Sequence, residues 1–386
     1  MSDMLIRARH YATGDLVEVR REGETIVSMT PATDSIADVA AGWIAPALFD
    51  LQINGCHGIS FNSDVLQPED VSRVVAECRQ HGIAGLLPTL VTNSFDALAH
   101  GFKTLQRTCE ADPAIAAAIP GYHLEGPYIS PEDGPRGAHP KEHVRDPDLN
   151  EFRRMQECAG GRIRLLTLAP ERPGALSLIE GVVKGGTVVA IGHTAATPIQ
   201  IRDAISAGAR LSTHLGNGCH AMLPRHENYI WEQLAADELW TSIIPDGHHL
   251  PASLVKSIVR VKTPARSIIT CDASSLAGLP EGRYEQWGSQ LEVLPRGKVI
   301  VAGTPFLAGS GVFTDVCISN VIRMAGVRLE DAIDMAGARP RELLGLPACK
   351  LEVGSTAPIL LFDWVPGEDM IVRGLLAGPA TTGRSP

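Results

Sequence analysis

The chain has 386 residues, with 34 Lys and Arg against 44 Asp and Glu, for a formal net charge of −10. Hydrophobic residues make up 44 % and charged residues 20 %, which is the composition of a globular protein with enough chain for a sizeable core and excludes a disordered one. The acidic balance argues against a nucleic-acid binder, although a few placed cations can still hold a small anion.

At about 150 residues per domain, the length suggests two or three domains, or one large α/β barrel with an appendage. The first 21 residues mix Arg, Asp and Glu and lack the apolar stretch of a signal peptide. Residues 5–29 read as short strands around a Gly-containing turn, with Leu16-Val-Glu-Val19 and Glu24-Thr-Ile-Val27 as their centres. Residues 354–364 read the same way near the other end. Both termini are therefore expected to build one small β domain, spanning 1–44 and 352–386.

The middle, 45–351, alternates differently. Candidate strands fall at 43–53, 82–90, 116–124, 162–168, 187–192, 211–214, 241–245 and 267–271. Amphipathic helical segments lie between several of them, such as 68–81 and 198–207. Eight such units over roughly 230 residues match a (β/α)8 TIM barrel, which typically takes about 250. The tail after Gly374 is rich in Ala, Gly and Thr and is expected to fray. No run of about 18 apolar residues exists to span a bilayer. The eight cysteines have no CxxC spacing and read as reduced, mostly buried thiols. A cytoplasmic protein with neither membrane nor nucleic acid as partner is expected.

In a barrel of this kind, chemistry sits at the C-terminal ends of the strands. There the chain places Asp50, Gln52 and Asn54, then His123 and Glu125, His193, His214 and Asn217, the Asp246-Gly-His-His249 run, and Asp272. A carboxylate and two imidazoles are a sound ligand set for a divalent ion with an open coordination position.

At these residues the sequence resembles the N-acetylglucosamine-6-phosphate deacetylases of the amidohydrolase superfamily. The phrases are PALFDLQING at 46–55, HLEGP at 123–127, GAH at 137–139, TLAPE at 167–171, IGHT at 191–194, THL at 213–215, DGHH at 246–249 and LAGS at 307–310. The resemblance implies a TIM barrel with a β-sandwich formed by both termini. It implies a hydrolase that removes acetate from an N-acetyl amino sugar phosphate. Glu125, His193 and His214 would be the metal ligands and Asp272 the proton shuttle. His139 would polarise the acetamide carbonyl or bind a sugar hydroxyl. Asn217 and Gly218 would hold the ligand, with Arg225 and His249 on the phosphate. That pair can come from a neighbouring subunit, so a homodimer is expected.

Many superfamily members hold a second ion through a His-x-His pair after the first strand. Here Gln52-x-Asn54 replaces it, and neutral amides are poor ligands. One ion is expected, zinc first, with iron(II), cobalt(II) or manganese(II) also fitting. Gln52 would bond a metal-bound water or an adjacent ligand, or else be a structural amide. The chain departs from the family at Gly216-Asn-Gly-Cys-His220 and at 224–228. That keeps open another N-acylated substrate, or a non-catalytic sugar-binding relative.

Overall fold

The computed structural model describes residues 3–32, 37–286 and 289–376. Eight strands form one parallel sheet in the order in which the chain supplies them. They are Leu48–Ile53, Ile83–Val91, Tyr122–Glu125, Ile163–Leu168, Val188–Ile191, Leu211–Ser212, Trp240–Ile243 and Ser267–Ile269. The ring closes where Ile53 pairs in parallel with Ala273, just past the eighth strand. Asn54 N–H donates to Ala273 O there at 2.8 Å.

Each strand is covered on both faces, which is why these segments read as near-continuous apolar runs. Phe49, Leu87, Leu165, Ala190, Leu211, Trp240 and Ile268 meet in the barrel interior. Leu48, Leu86, Leu124, Leu166 and Ile243 face outward onto helices through residues such as Val71, Val75, Phe102, Ile179 and Val255. The seam between the first and eighth strands has a polar clamp. The fully buried Asp50 carboxylate accepts from Gln52 N–H at 2.9 Å, Cys271 N–H at 2.9 Å, the Thr314 hydroxyl at 2.6 Å and the Thr270 hydroxyl.

The single strand expected over 43–53 is two strands. Val39–Pro46 joins the terminal sheet and Leu48–Ile53 opens the barrel; Pro46, which has no N–H to donate, marks the change of sheet. The strand expected over 116–124 begins only at Tyr122. Residues Pro113–Ala118 are helical instead, because Asp112 accepts from Ala114 N–H at 2.8 Å and Pro113 suits a first helical turn. The helices Pro68–Gln80 and Pro198–Ala207 fall within a residue of expectation.

Both ends of the chain meet in a six-stranded sheet. Its order is Ile371–Leu376, Ile359–Asp363, Val39–Pro46, Asp3–His10, Leu16–Glu22, Thr25–Pro31. Ile6, Val19, Ile26, Ile44, Ile359 and Leu361 form its core. The last strand runs through Leu376; the rest of the tail lies outside the described residues. No described helix is long and apolar enough to cross a membrane.

Sequence reasoning did not anticipate a third sheet, antiparallel and of four strands, between the eighth barrel strand and the helix Thr314–Ala325. Its strands are Gly282–Gln286, Ser289–Leu294, Lys298–Val301 and Leu307–Ser310. Its last strand grips the end of the barrel: Ser310 N–H donates to Asp272 O at 2.9 Å and Ser274 N–H to Ser310 O at 2.8 Å. The Asp272 backbone is thus fixed between the first barrel strand and the inserted sheet.

Candidate active site

Glu125 ends the third strand, His193 follows the fifth and His214 the sixth. One ligand atom from each lies within 4.8 Å of the others. Glu125 Oε1 is 3.0 Å from His214 Nε2 and 3.3 Å from His193 Nε2, and all three side chains are buried. His193, His214 and Asp272 have φ of +51°, +30° and +50°. Such backbone costs on the order of 1–3 kcal/mol per residue and persists where surrounding contacts enforce it. The His193 ring also needs neighbours without side chains. A Cβ on Gly218 would lie 2.7 Å from its Nδ1, and one on Gly137 would lie 3.3 Å from its Cε1.

The donor set fits a divalent ion. His193 Nδ1 lies 2.9 Å from Pro135 O. A carbonyl only accepts, so Nδ1 carries the hydrogen and the neutral ring turns the Nε2 lone pair toward the Glu125 carboxylate. Two imidazole nitrogens and a carboxylate aimed at one point are stabilised by a cation between them, and a carbonyl behind the imidazole is the usual support for such a ligand. Burial works to raise the Glu125 carboxyl, but where the His193 and His214 rings carry a proton on Nε2 their hydrogen bonds and charge outweigh it and hold it well below the usual range. Among the described residues this is the one group of three or more His, Cys, Asp or Glu so arranged.

The first strand supplies two amides. Gln52 Nε2 donates to Glu125 Oε1 at 3.0 Å and to Asp272 Oδ1 at 3.1 Å; Asn54 Nδ2 donates to the same Oδ1 at 2.7 Å. With two N–H groups on Oδ1, a proton on Asp272 belongs on Oδ2. Burial, then the Glu125 charge, pushes the Asp272 carboxyl up to about 7. Buried His139 stands with its ring 4.3 Å from that of His193, and its Nδ1 is 2.8 Å from Thr92 Oγ1. Burial, then His193, lowers it to about 3, so the ring is neutral.

His249 Nδ1 lies 2.7 Å from Asp246 Oδ2, and the imidazole feels the Asp272 charge. Burial acts to lower its pKa, but the Asp246 bond and charge prevail and raise it. Asn217 donates to His214 O from both its backbone N–H, at 2.9 Å, and Nδ2, at 3.2 Å. The structure thus gathers Gln52, Glu125, His139, His193, His214 and Asp272, with Asn217, Gly218 and His249 against them.

Arg225 is not gathered. It is exposed on the loop after Gly218 and forms no ion pair among the described residues. Three further histidines serve elsewhere: His57 meets Glu77 at 3.0 Å, His220 joins Glu132 to Tyr229, and His248 bonds Arg296 O at 3.1 Å. Sequence reasoning gave no role to Asn54, Thr92, Pro135 or Asp246. Asn54 and Asp246 stood in phrases already singled out, whereas Thr92 and the Pro135 carbonyl carry no signature in sequence.

The sequence model of the amidohydrolase family matches residues 43–380. Human N-acetylglucosamine-6-phosphate deacetylase is 33 % identical over 347 residues, 86 % of this chain and 82 % of that protein. N-acetylgalactosamine-6-phosphate deacetylase of Escherichia coli O157:H7 is 28 % identical over 379 residues, 94 % of this chain and 98 % of that protein. A Mycobacterium smegmatis N-acetyl-D-glucosamine-6-phosphate deacetylase, solved as an aspartate-to-alanine mutant in complex with N-acetyl-D-glucosamine-6-phosphate, superposes with a TM-score of 0.86. It is 30 % identical and covers 98 % of both chains.

Proposed function

Because this chain belongs to the amidohydrolase family, and within it to the N-acetylglucosamine-6-phosphate deacetylases, we propose that it hydrolyses N-acetylglucosamine 6-phosphate to glucosamine 6-phosphate and acetate. The observation that carries this reading is Asp272, held by two amides on one oxygen beside a Glu-His-His ligand set.

A divalent ion on Glu125, His193 and His214 would supply Lewis acidity toward the acetamide carbonyl and water. The rest is done by this chain's own groups. Asp272 Oδ2 takes the proton of the attacking water and passes it to the leaving nitrogen as the C–N bond breaks. Gln52 and Asn54 keep Oδ1 occupied, so the proton stays on the other oxygen. The Thr92 hydroxyl, donating to His139 Nδ1, leaves Nε2–H to donate to the carbonyl as charge develops there. Asn217 and the Gly218 backbone hold the sugar.

His249 and Arg225 take the phosphate. Arg225 reaches it from a second copy of the chain. Its exposed position supports this, as do the exposed Met222 (90 %) on its loop and Trp231 (53 %), whose Nε1–H donates to Arg225 O. We take the cytoplasm as the compartment, since all eight cysteines are free thiols.

The test is acetate release from N-acetylglucosamine 6-phosphate, its galacto epimer and the unphosphorylated sugars. Release from an N-acyl amino acid, with none from any phospho-sugar, would install the other-substrate reading. Metal analysis should find one divalent ion per chain, zinc first. Two equivalents in active enzyme would overturn the one-ion reading, and chelation should abolish turnover.

The phosphate site also sets a pH dependence. Asp246 raises the His249 pKa, so the cation survives to higher pH and is lost above that raised value. KM for the phospho-sugar should therefore climb on the alkaline side. Asp246→Asn removes the cause, and the climb should start at lower pH. If that variant leaves the profile in place, His249 does not bind the phosphate as a cation.

A further inference from the structure

The fourth barrel strand ends at Leu168, and the chain runs on through Ala169 and Pro170 to Glu171. Glu171 forms no ion pair among the described residues; the adjacent Arg172 pairs with Asp146. Both carboxylate oxygens are spent on the turn that follows His193. Oε2 accepts from the Thr194 hydroxyl at 2.5 Å, and Oε1 accepts from Ala195 N–H at 2.7 Å. The Thr194 oxygen in turn accepts from Ala196 N–H at 3.0 Å. Three hydrogen bonds thus fix residues 194–196, immediately after a histidine whose φ is +51°.

On the far side, Ser130 N–H donates to His193 O at 2.9 Å. On the near side, Gly192 N–H donates to Leu168 O at 3.1 Å, so the 194–196 turn is the restraint on the C-terminal side of His193, and a residue in the left-handed region relaxes toward ordinary φ once its restraints go. Taking a carboxylate even partly out of water is costly unless its bonds are made, and both oxygens of the half-buried Glu171 are used on one short turn.

We propose that Glu171 is a positioning residue for His193: it pins the 194–196 turn and so keeps the His193 imidazole aimed at the ion. This rests on the Glu125, His193 and His214 metal-site reading. Glu171 touches neither ion nor substrate. Its effect is therefore expected in how long the ion stays, since outer partners of a metal ligand typically change affinity about 10–100-fold.

The experiment follows zinc release from the full-length holoprotein into an excess of chelator, without substrate, alongside thermal melting of metal-free protein. Glu171→Ala is expected to release zinc about 10–100-fold faster than wild type, with the metal-free melting temperature little changed. Glu171→Gln and Thr194→Val should fall between. The amide oxygen can still accept from Ala195 N–H, but its NH2 cannot accept the Thr194 hydroxyl, and valine removes that hydroxyl outright. These milder variants decide the matter if Glu171→Ala does not fold. Unchanged zinc release in variants of a zinc-retaining wild type would overturn the Glu171 proposal alone. So would destabilisation of metal-free and loaded protein by the same amount, which marks a purely structural turn. A wild type that holds no zinc would overturn the metal-site reading together with it.

Discussion

Asp272→Asn is expected to lower kcat about 100-fold or more, at least about 2.7 kcal/mol of barrier, while metal content stays at the wild-type level. The substitution is close to isosteric. The side-chain oxygen of asparagine can remain where Oδ1 accepts from Gln52 at 3.1 Å and Asn54 at 2.7 Å. The NH2 then occupies the Oδ2 position, where it has no lone pair for a proton at neutral pH. General acid–base catalysis by a positioned group contributes typically about 10²–10⁴-fold, so its loss alone accounts for the drop. The Glu125, His193 and His214 donor atoms are untouched, and metal content separates a lost proton shuttle from a collapsed site. Retention of more than about a tenth of kcat, a loss under ~1.4 kcal/mol, would remove Asp272 from the proton-transfer role.

How much of this was legible in sequence follows from which interactions are local. The barrel was, because strands covered on both faces must be apolar along their length, and residues such as those of Ile163–Leu168 read that way without any alignment. The gathering of Glu125, His193 and His214 was too, because the rule that chemistry sits at strand C-terminal ends turns eight apolar runs into a short list of polar residues. Boundaries were less so. A largely apolar run over 43–53 hides a change of sheet at Pro46, and only the pairing of residues 43–46 with Ile359–Phe362 reveals it. The inserted sheet was missed because its strands are short, partly exposed hairpins, although Leu291 and Val293 alternate with Gln290 and Glu292 as hairpin strands do. The supports of the site were least legible. Pro135 acts through a backbone carbonyl and Thr92 through one hydroxyl, 47 residues from the imidazole it meets. Neither bond has a spacing to detect, since the fold alone brings the partners together.

Arg225 carries the second large expectation. Arg225→Ala should cut kcat/KM for N-acetylglucosamine 6-phosphate about 30-fold or more, close to 2 kcal/mol, and leave an unphosphorylated N-acetyl sugar nearly unaffected. Within one chain this looks too large. The Arg225 side chain is exposed, and an ion pair in water is typically worth under about 1 kcal/mol. The larger figure requires a buried phosphate. A phosphomonoester carries close to two negative charges, and stripped of water it needs charge-assisted partners; removing one such partner costs roughly 2–5 kcal/mol. Among the described residues Arg225 is left exposed, so on the proposed reading a second copy of the chain would bury the phosphate it meets. The kinetic effect and the oligomeric state are therefore one prediction: the wild type should sediment as a dimer. A monomer with full activity, or a variant that loses both substrates equally, would give Arg225 a role other than phosphate binding. A wild type indifferent to the phosphate would return the 216–228 departures to the other-substrate reading.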